Sequence, residues 1–305
     1  MKTAYLAPED FLDELLRELS GQVKVERVQH RLVVASGPAV SAAWAQNIWF
    51  DPQELRIESI TRAAQALRSI QRNWTLYSVD LHRRAQLIAE KLPRVATRRL
   101  VFPAALPSSP MGSWTLLEKD LVLAAANCSS PFPNGEIHFE EKKEGPPSRA
   151  YLKLWETLTL AGTHPRAGDR CLDLGSSPGG WTWALQGLGA QVLSVDKAPL
   201  AETVASLPGV QVLKRDAFTL DPTEVGRLDW FFSDVICYPQ KLYELVTRWL
   251  GSGLCGRFVC TIKLQGKEPS AEDRRAIQAF AAIPGSTVRH GFHNKHELTW
   301  MKSTA

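Results

Sequence analysis

The sequence has few of the features that mark a membrane or secreted protein. No run of apolar residues approaches the roughly 20 that a transmembrane helix needs. The stretch from Met1 to Leu6 lacks the apolar core and cleavage site of a signal peptide. The five cysteines are scattered and never form a C-x-x-C pair, which argues against a disulfide framework and a zinc site. We therefore expect a cytoplasmic protein with no membrane partner and no bound metal.

The charge and the length of the chain limit its possible partners and its number of domains only broadly. The net charge of +4 is small, so it permits a nucleic-acid partner without requiring one. A chain of 305 residues is long enough for two domains. The ten tryptophans are many for this length; some could stack on bases, but we expect most of them in hydrophobic cores.

The first half of the chain alternates helical and strand patterns and offers no catalytic constellation. These patterns predict a small α+β module followed by a second unit, which together would hold a substrate. The expected elements are a strand at 3–7, a helix at 8–19, a hairpin at 23–28 and 31–34, a helix at 58–72, a strand at 74–79, a helix at 81–91, a strand at 113–126 and a loop at 127–135.

Arginines cluster in the same half of the chain. They fit either a solvated basic helix face or a surface that contacts the phosphates of a nucleic acid, and the sequence leaves both open. The cluster consists of Arg83, Arg84, Arg94, Arg98 and Arg99.

A charged segment at 140–144, followed by Gly-Pro-Pro, indicates a linker. We therefore place the domain boundary here. Residues 1–145 would form the N-terminal α+β region, and residues 146–305 the C-terminal domain.

The C-terminal domain has the pattern of a doubly wound α/β sheet. A helix starts near Ser148, and a strand at 170–174 follows it. Four more strands, separated by helices, are expected at 191–195, 210–213, 228–233 and 257–263. This alternation predicts a parallel sheet, which binds ligands at the carboxyl ends of its strands. Runs at 286–291 and 297–302 could close the sheet as an antiparallel pair.

The strand at 170–174 runs into a glycine-rich turn before a helix begins. The turn reads Asp173-Leu174-Gly175-Ser176-Ser177-Pro178-Gly179-Gly180-Trp181. Glycine carries no Cβ and can take positive φ, so this loop can wrap closely around a ligand. The free N–H groups of the first helical turn would face that ligand. We interpret the loop as the cradle of a nucleoside cofactor.

Polar residues follow the ends of the remaining strands. Asp196, Asp216 and Asp234 follow the second, third and fourth strands, and Lys263 ends the fifth. Asp196 comes 23 residues after Asp173, where an acid holds a ribose diol in nucleotide-binding sheets. An NAD-dependent enzyme is the competing interpretation. It is disfavoured because the loop has Pro-Gly-Gly instead of G-x-G-x-x-G, and because of the acid and lysine at the fourth and fifth strand ends.

The segment at 173–181 closely resembles the S-adenosylmethionine loop of the FtsJ/RrmJ-like ribose 2′-O-methyltransferases. That family uses a Lys-Asp-Lys-Glu tetrad. Four segments of this chain resemble, in the same order, the family segments that carry the four tetrad residues. They are Ser148-Arg149-Ala150-Tyr151-Leu152-Lys153, Phe232-Ser233-Asp234, Thr261-Ile262-Lys263 and His296-Glu297-Leu298-Thr299.

Within that family the chain looks most like the RlmM-type enzymes, through residues 127–135, 147–156, 193–199 and 294–299. The resemblance implies a Rossmann-like S-adenosylmethionine methyltransferase domain preceded by a THUMP-like RNA-binding region. It also implies 2′-O-methylation of a cytidine in large-subunit, 23S-type rRNA. We expect the protein to be a monomer.

The resemblance also assigns the site residues. The catalytic set would be Lys153, Asp234, Lys263 and Glu297. The residues that bind S-adenosylmethionine would be Asp173, Gly175, Ser177, Pro178, Gly179, Gly180, Trp181, Asp196, Asp216 and Asp234.

The tetrad has a chemical rationale, because a ribose 2′-hydroxyl is a poor nucleophile and a sulfonium methyl is a good electrophile. Lys263 could take the hydroxyl proton if burial and nearby Lys153 disfavour its own charged form. Asp234 would hold Lys263 in position. Lys153 and Glu297 would orient the ribose and the base, and the positioning of both reactants would supply much of the acceleration.

Three of these residues, and the protein as a whole, also have simpler interpretations. Lys153 could be a surface lysine, Glu297 an edge-strand acid and Asp234 a helix N-cap. The fold could also serve without catalysis, as an RNA-binding scaffold or ribosome-assembly factor.

Overall fold

The computed structural model describes residues 1–95, 98–142, 144–266 and 268–303, and the chain forms two compact units. The first unit comprises Met1–Leu100 and Leu106–His138, and the second Val101–Ala105 and Phe139–Ala305. The predicted division at 145 differs from these units at 101–105 and at 139–145. Lys143, in the predicted linker, lies outside the described residues.

The described residues of the first unit form two sheets and three α-helices. One sheet has the strand order β2-β3-β1-β4-β9, and the other β5-β8-β7-β6. The elements are β1 (Lys2–Leu6), α1 (Leu12–Leu19), β2 (Lys24–Gln29), β3 (Leu32–Ser36), β4 (Asn47–Phe50), β5 (Gln53–Arg56), α2 (Ile60–Ile70), β6 (Trp74–Leu76), α3 (His82–Ala89), β7 (Gly112–Glu118), β8 (Leu121–Ala125) and β9 (Asn127–Cys128).

Strand β8 explains how this unit is layered. All five of its residues are buried, although strand side chains alternate between two faces. Val122 and Ala124 pack in a cluster with residues of α2 and α3, whereas Leu121, Leu123 and Ala125 pack with residues of β1, β3 and β4. The four-stranded sheet is therefore covered on both faces.

Two sequence predictions for this unit need correction. The strand expected at 113–126 is a hairpin, β7 and β8, whose turn at Lys119–Asp120 contains neither glycine nor proline. The short strands β4 and β5 were not predicted. They are four residues each and meet at Asp51, which takes a positive φ of 46°. Segments this short carry too little periodicity to be recognised.

The second unit is built on a seven-stranded sheet. Its elements are α4 (Tyr151–Ala161), β10 (Arg170–Leu174), α5 (Gly180–Gln186), β11 (Gln191–Asp196), α6 (Glu202–Ala205), β12 (Val210–Lys214), α7 (Pro222–Val225), β13 (Trp230–Ser233), α8 (Pro239–Ser252), β14 (Phe258–Lys263), α9 (Ala271–Ala281), β15 (Ser286–Arg289) and β16 (Glu297–Lys302).

The strand order of this sheet is β12-β11-β10-β13-β14-β16-β15. The first five strands are parallel, and the order reverses between β10 and β13, as in doubly wound folds. The prediction of a parallel, doubly wound sheet is confirmed. The predicted antiparallel pair is also confirmed, and its second strand, β16, lies between β14 and β15.

Tryptophans serve mainly as core residues, as predicted. Nine of the ten are buried, and Trp183 is half-buried. In the second unit, Trp230 stacks on Phe232 with ring centroids 5.7 Å apart.

The glycine-rich loop begins at Gly175, which has a positive φ of 73°. A Cβ at this position would lie 2.5 Å from Cα of Val235, so a side chain has no room. The space that the missing Cβ leaves is therefore filled by the chain after β13 and not by a ligand. Gly175 brings the ends of β10 and β13 together.

We predict that Gly175→Ala destabilises the second unit more than a matched substitution at Gly162. Gly162 ends α4 with a φ of 64° and has no atom within 4 Å of its would-be Cβ. Gly162→Ala should thus incur only the left-handed backbone strain, about 1–2 kcal/mol. Gly175→Ala should incur an additional 1–3 kcal/mol, roughly, for overpacking. Urea-induced unfolding of both variants measures the difference, and equal losses would contradict the close approach.

Candidate functional site

Four charged side chains meet at the carboxyl edge of the seven-stranded sheet. Lys153 projects from the first turn of α4, and Asp234 directly follows β13. Lys263 is the last residue of β14 and Glu297 the first of β16, and these two are paired across the strands. The structure therefore brings together the four residues that the sequence singled out as a tetrad.

The four side chains form a closed ring of alternating charge. Lys153 Nζ lies 3.0 Å from Asp234 Oδ1 and 2.8 Å from Glu297 Oε1. Lys263 Nζ lies 2.9 Å from the same Asp234 oxygen and 3.7 Å from Glu297 Oε2. Each lysine therefore contacts both carboxylates, and the ring has no net charge when all four groups are ionised.

The ring keeps Lys153 and Asp234 in their charged forms. Burial by itself lowers the pKa of Lys153, but attraction to Asp234 and Glu297 outweighs burial and raises it above the ordinary value. Burial likewise acts to raise the pKa of Asp234, but Lys153 and Lys263 together hold it below its ordinary value. Lys153 is therefore a cation, and Asp234 an anion, at neutral pH.

The two lysines are not equivalent. Lys153 donates to both oxygens of Asp234 and also pairs closely with Glu297, and its side chain is only 11% exposed. Lys263 has one short contact and one at 3.7 Å, and its side chain is 21% exposed. Lys263 is thus the less tightly held and the more accessible of the two.

The structure excludes the simpler interpretations of these residues. Glu297 is 7% exposed and lies on an interior strand, since β15 forms the edge of the sheet. Asp234 does not cap α8, whose N-cap is Tyr238. Lys153 is a largely buried residue and not a surface lysine.

Asp196 holds the glycine-rich loop in place. Its Oδ2 accepts a hydrogen bond from the Ser177 backbone N–H at 3.0 Å, and its Oδ1 accepts one from Ala198 at 2.9 Å. Ser177 also donates its hydroxyl to the Pro199 carbonyl at 2.8 Å. Each Asp196 oxygen keeps a lone pair for a further donor.

Asp216 lies at the end of the neighbouring strand β12. It accepts a hydrogen bond from the Phe218 backbone N–H at 3.0 Å and pairs with Lys197 Nζ at 2.8 Å. The hydrogen bond from Lys197 lowers the pKa of Asp216, and the one from Phe218 adds to this effect. Both strand-end acids are thus present as predicted, and both also anchor local backbone.

Asp173 and Trp181 are both buried. Asp173 is fully buried and accepts a hydrogen bond from Thr182 Oγ1 at 2.6 Å. Trp181 is 3% exposed, and its indole N–H donates to the Ala150 carbonyl at 2.9 Å. These two predicted cofactor residues connect the loop to the protein interior.

The other two loop glycines also border protein atoms. A Cβ at Gly179, where φ is 117°, would lie 3.0 Å from Cγ1 of Val204. A Cβ at Gly180 would lie 2.5 Å from the Ser148 hydroxyl. Pro178, also in the predicted set, accepts a backbone hydrogen bond from Ala201 at 2.9 Å through its carbonyl oxygen. The loop is therefore tightly packed against neighbouring segments of the second unit.

The residues at this edge fit a nucleoside cofactor that carries a positive charge. Asp196 retains acceptor capacity for a ribose diol, and Ser176, only 4% exposed, has a hydroxyl without a hydrogen-bond partner among the described residues. Asp216 and Asp234 are each already paired with lysine, so Asp196 is the acid of this edge that most favours a cationic group such as a sulfonium.

Three residues near the site were missed by sequence reasoning. Ile236 and Tyr238 follow Asp234 in the loop before α8, and they are 78% and 64% exposed. Glu156 lies three residues after Lys153 on α4 and is 2% exposed. The spacing of Glu156 from Lys153 was visible in the sequence, because residues three apart share a helix face.

Within residues 1–95, 98–142, 144–266 and 268–303, no group of three or more His, Cys, Asp or Glu side chains could hold a metal ion. In the same residues, no helix is long and apolar enough to cross a membrane.

Comparison with known families matches part of the unit that carries the site. Residues 146–247 match the family model described as FtsJ-like methyltransferase. This part of the chain is an FtsJ-like methyltransferase domain. Domains of this class use S-adenosylmethionine as the methyl donor, and the acidic sheet edge fits that cofactor.

Curated relatives carry the name ribosomal RNA large subunit methyltransferase M. The protein from Halorhodospira halophila is 35% identical over 158 residues, which are 50% of this chain and 46% of that protein. The protein from Pseudomonas putida strain W619 is 35% identical over 214 residues, 66% of this chain and 59% of that protein. The chain thus spans about half the length of the curated relatives it matches.

We predict that Asp173 makes stability depend on pH. Burial raises the pKa of Asp173 from its ordinary 3.8 to about 7, although the Thr182 hydrogen bond opposes this. Between about pH 4 and 7 the folded state binds this proton more tightly than the unfolded state, so the free energy of unfolding falls as pH rises.

Asp173→Asn imitates the protonated form and removes this dependence. The free energy of unfolding of the variant, relative to the original protein, should therefore increase from pH 5 to pH 8. Urea titrations at both pH values measure the change. A relative stability that does not vary with pH would contradict the prediction.

Proposed function

We propose that the protein is an S-adenosylmethionine-dependent RNA ribose 2′-O-methyltransferase that acts on a cytidine of large-subunit, 23S-type rRNA. The observation that carries the proposal is the closed ring of Lys153, Asp234, Lys263 and Glu297 at the carboxyl edge of the sheet. It lies on the same edge as the Asp196-anchored loop.

Two observations support an RNA substrate. The relatives are named as ribosomal RNA methyltransferases. In the first unit, Arg83, Arg94, Arg98 and Arg99 are exposed, as a phosphate-contacting surface requires.

We further propose that residues 1–145 form a THUMP-like RNA-binding region. The five cysteines are free thiols, which fits a protein that works in the reducing cytoplasm, and we propose that it acts as a monomer.

The cofactor would be held by the loop at 175–180 with Asp196 and Asp216. When bound, S-adenosylmethionine supplies an electrophilic methyl group. Asp196 would accept hydrogen bonds from the ribose diol of the cofactor. Asp216 would accept one from another hydrogen-bond donor of the cofactor. Asp173 and Trp181 would hold the loop in place through their hydrogen bonds with Thr182 and Ala150.

The ring would orient the acceptor hydroxyl and remove its proton. Lys263 is the more exposed lysine, and its neutral amine would take the 2′-hydroxyl proton as general base and become the ammonium that the carboxylates hold. Lys153, held as a cation by two carboxylates, would orient the hydroxyl oxygen and stabilise negative charge that develops there. Asp234 and Glu297 would keep both lysines in position.

We expect Lys263→Met to slow methyl transfer severely while leaving cofactor binding intact. Loss of general-base catalysis alone should slow the reaction by about 100- to 10,000-fold. Ribose methylation of rRNA with labelled cofactor gives the rate, and calorimetry gives the cofactor affinity. Lys302→Met, at the far end of β16, is the matched control and should retain full activity.

The same experiment distinguishes the alternatives. A normal rate in Lys263→Met would disprove the assigned base. Cofactor binding by the original protein without methylation of any rRNA would favour a catalytically inactive RNA-binding or assembly factor.

We expect Tyr238 to stack on a base of the RNA, because it is exposed four residues after Asp234. Base stacking on an aromatic ring contributes about 1–3 kcal/mol, so Tyr238→Ala should raise the KM for RNA by about 5- to 150-fold. Tyr238→Phe keeps the ring and should retain the original KM. A KM that is unchanged in Tyr238→Ala would exclude this contact.

A further inference from the structure

A second buried carboxylate on α4 contacts the segment that leads into Glu297. Glu156 Oε1 accepts a hydrogen bond from the Phe292 backbone N–H at 2.7 Å. Its Oε2 accepts two from His293, from the backbone N–H and from ring Nδ1, both at 2.9 Å. Glu156 is 2% exposed, so three donors compensate the burial of its charge.

The segment from Gly291 to Glu297 is shaped around this carboxylate. A Cβ at Gly291 would lie 3.0 Å from Glu156 Cδ and 2.6 Å from Asn294 Oδ1, so a side chain there would displace one of them. Asn294 accepts the Gly291 N–H at 2.8 Å and donates to Thr299 Oγ1 at 3.1 Å. The turn is thus fixed both to α4 and to β16.

One helix therefore holds this segment at two points. Glu156 binds its beginning, and Lys153 binds Glu297 at its end. The two side chains are three residues apart and share a face of α4. A shift of α4 relative to the segment would change both contacts together.

We propose that Glu156 is a positioning residue for methyl transfer, which acts by fixing the place of Glu297 in the ring. This role rests on the function proposed above. The contact between Glu297 and Lys263 is already 3.7 Å long, so a small displacement of the segment would break it. Misplacement by about 1 Å in an active site can reduce the rate on the order of 100-fold.

Glu156→Gln tests the proposal, because the amide keeps one acceptor oxygen but turns an N–H₂ group toward the other donor. We expect kcat to fall on the order of 100-fold with little change in cofactor affinity. Amide hydrogen exchange should become faster at Phe292 and His293. Thr159→Val is the matched control on the same helix, since the buried Thr159 hydroxyl has no hydrogen-bond partner in the described part of the chain.

A double-mutant cycle with Glu297→Gln separates positioning from a general structural role. If Glu156 acts through Glu297, Glu156→Gln should cause little further loss in the Glu297→Gln background. The same fold loss in both backgrounds, or an unchanged kcat in Glu156→Gln, would overturn the proposal.

Two further measurements complete the test. Should Glu156→Gln fail to fold, Glu156→Asp keeps the charge on a shorter side chain and should give a smaller loss with the same dependence on Glu297. An original protein that binds cofactor but methylates no rRNA would instead refute the proposed function, and the positioning role with it.

Discussion

The ring formed by Lys153, Asp234, Lys263 and Glu297 is the constraint on which the candidate site of the second unit depends. Its members come from α4, β13, β14 and β16, so four elements must end or begin at one point. The direction of β16 makes this possible. Because β16 runs antiparallel to β14, its first residue lies at the edge where the parallel strands end. A parallel strand in the same position would place Glu297 at the opposite edge of the sheet.

The glycine-rich loop links the two halves of the site. Sequence reasoning assigned its glycines to ligand contact, yet the missing Cβ of Gly175 makes room for Val235, next to Asp234. The Asp234 backbone N–H also donates to the Leu174 carbonyl at 3.1 Å. The loop that would carry the methyl donor is thereby fixed against the chain that carries an acid of the ring. Backbone packing therefore sets the position of the loop relative to Asp234.

The sequence predicted what depends on local pattern. Alternating strands and helices predicted the doubly wound sheet, and polar residues at strand ends predicted Asp234 and Lys263. Lys153 and Glu297 were recognised only through the resemblance to a known family. Contacts between distant segments could not be derived in this way. Glu156 and Phe292 are 136 residues apart, and nothing in the sequence near either residue specifies the other. The burial of Trp181 was missed for the same reason, since its partner Ala150 is 31 residues away. In the first unit, β4 and β5 are defined by their neighbours more than by their own residues.

Stability alone does not account for a buried ring of four charges. Removing charged groups from water costs several kcal/mol per ion, and well-packed apolar residues often stabilise a protein as much or more. An apolar cluster at this edge would also satisfy the fold, since the surrounding strands already bury Phe232, Val259 and Leu298. The charged ring instead holds two lysines at fixed positions with unequal exposure, at the same edge of the sheet as the Asp196-anchored loop. That arrangement is useful for positioning a hydroxyl and moving its proton, which is why we assign the ring to chemistry and not to folding.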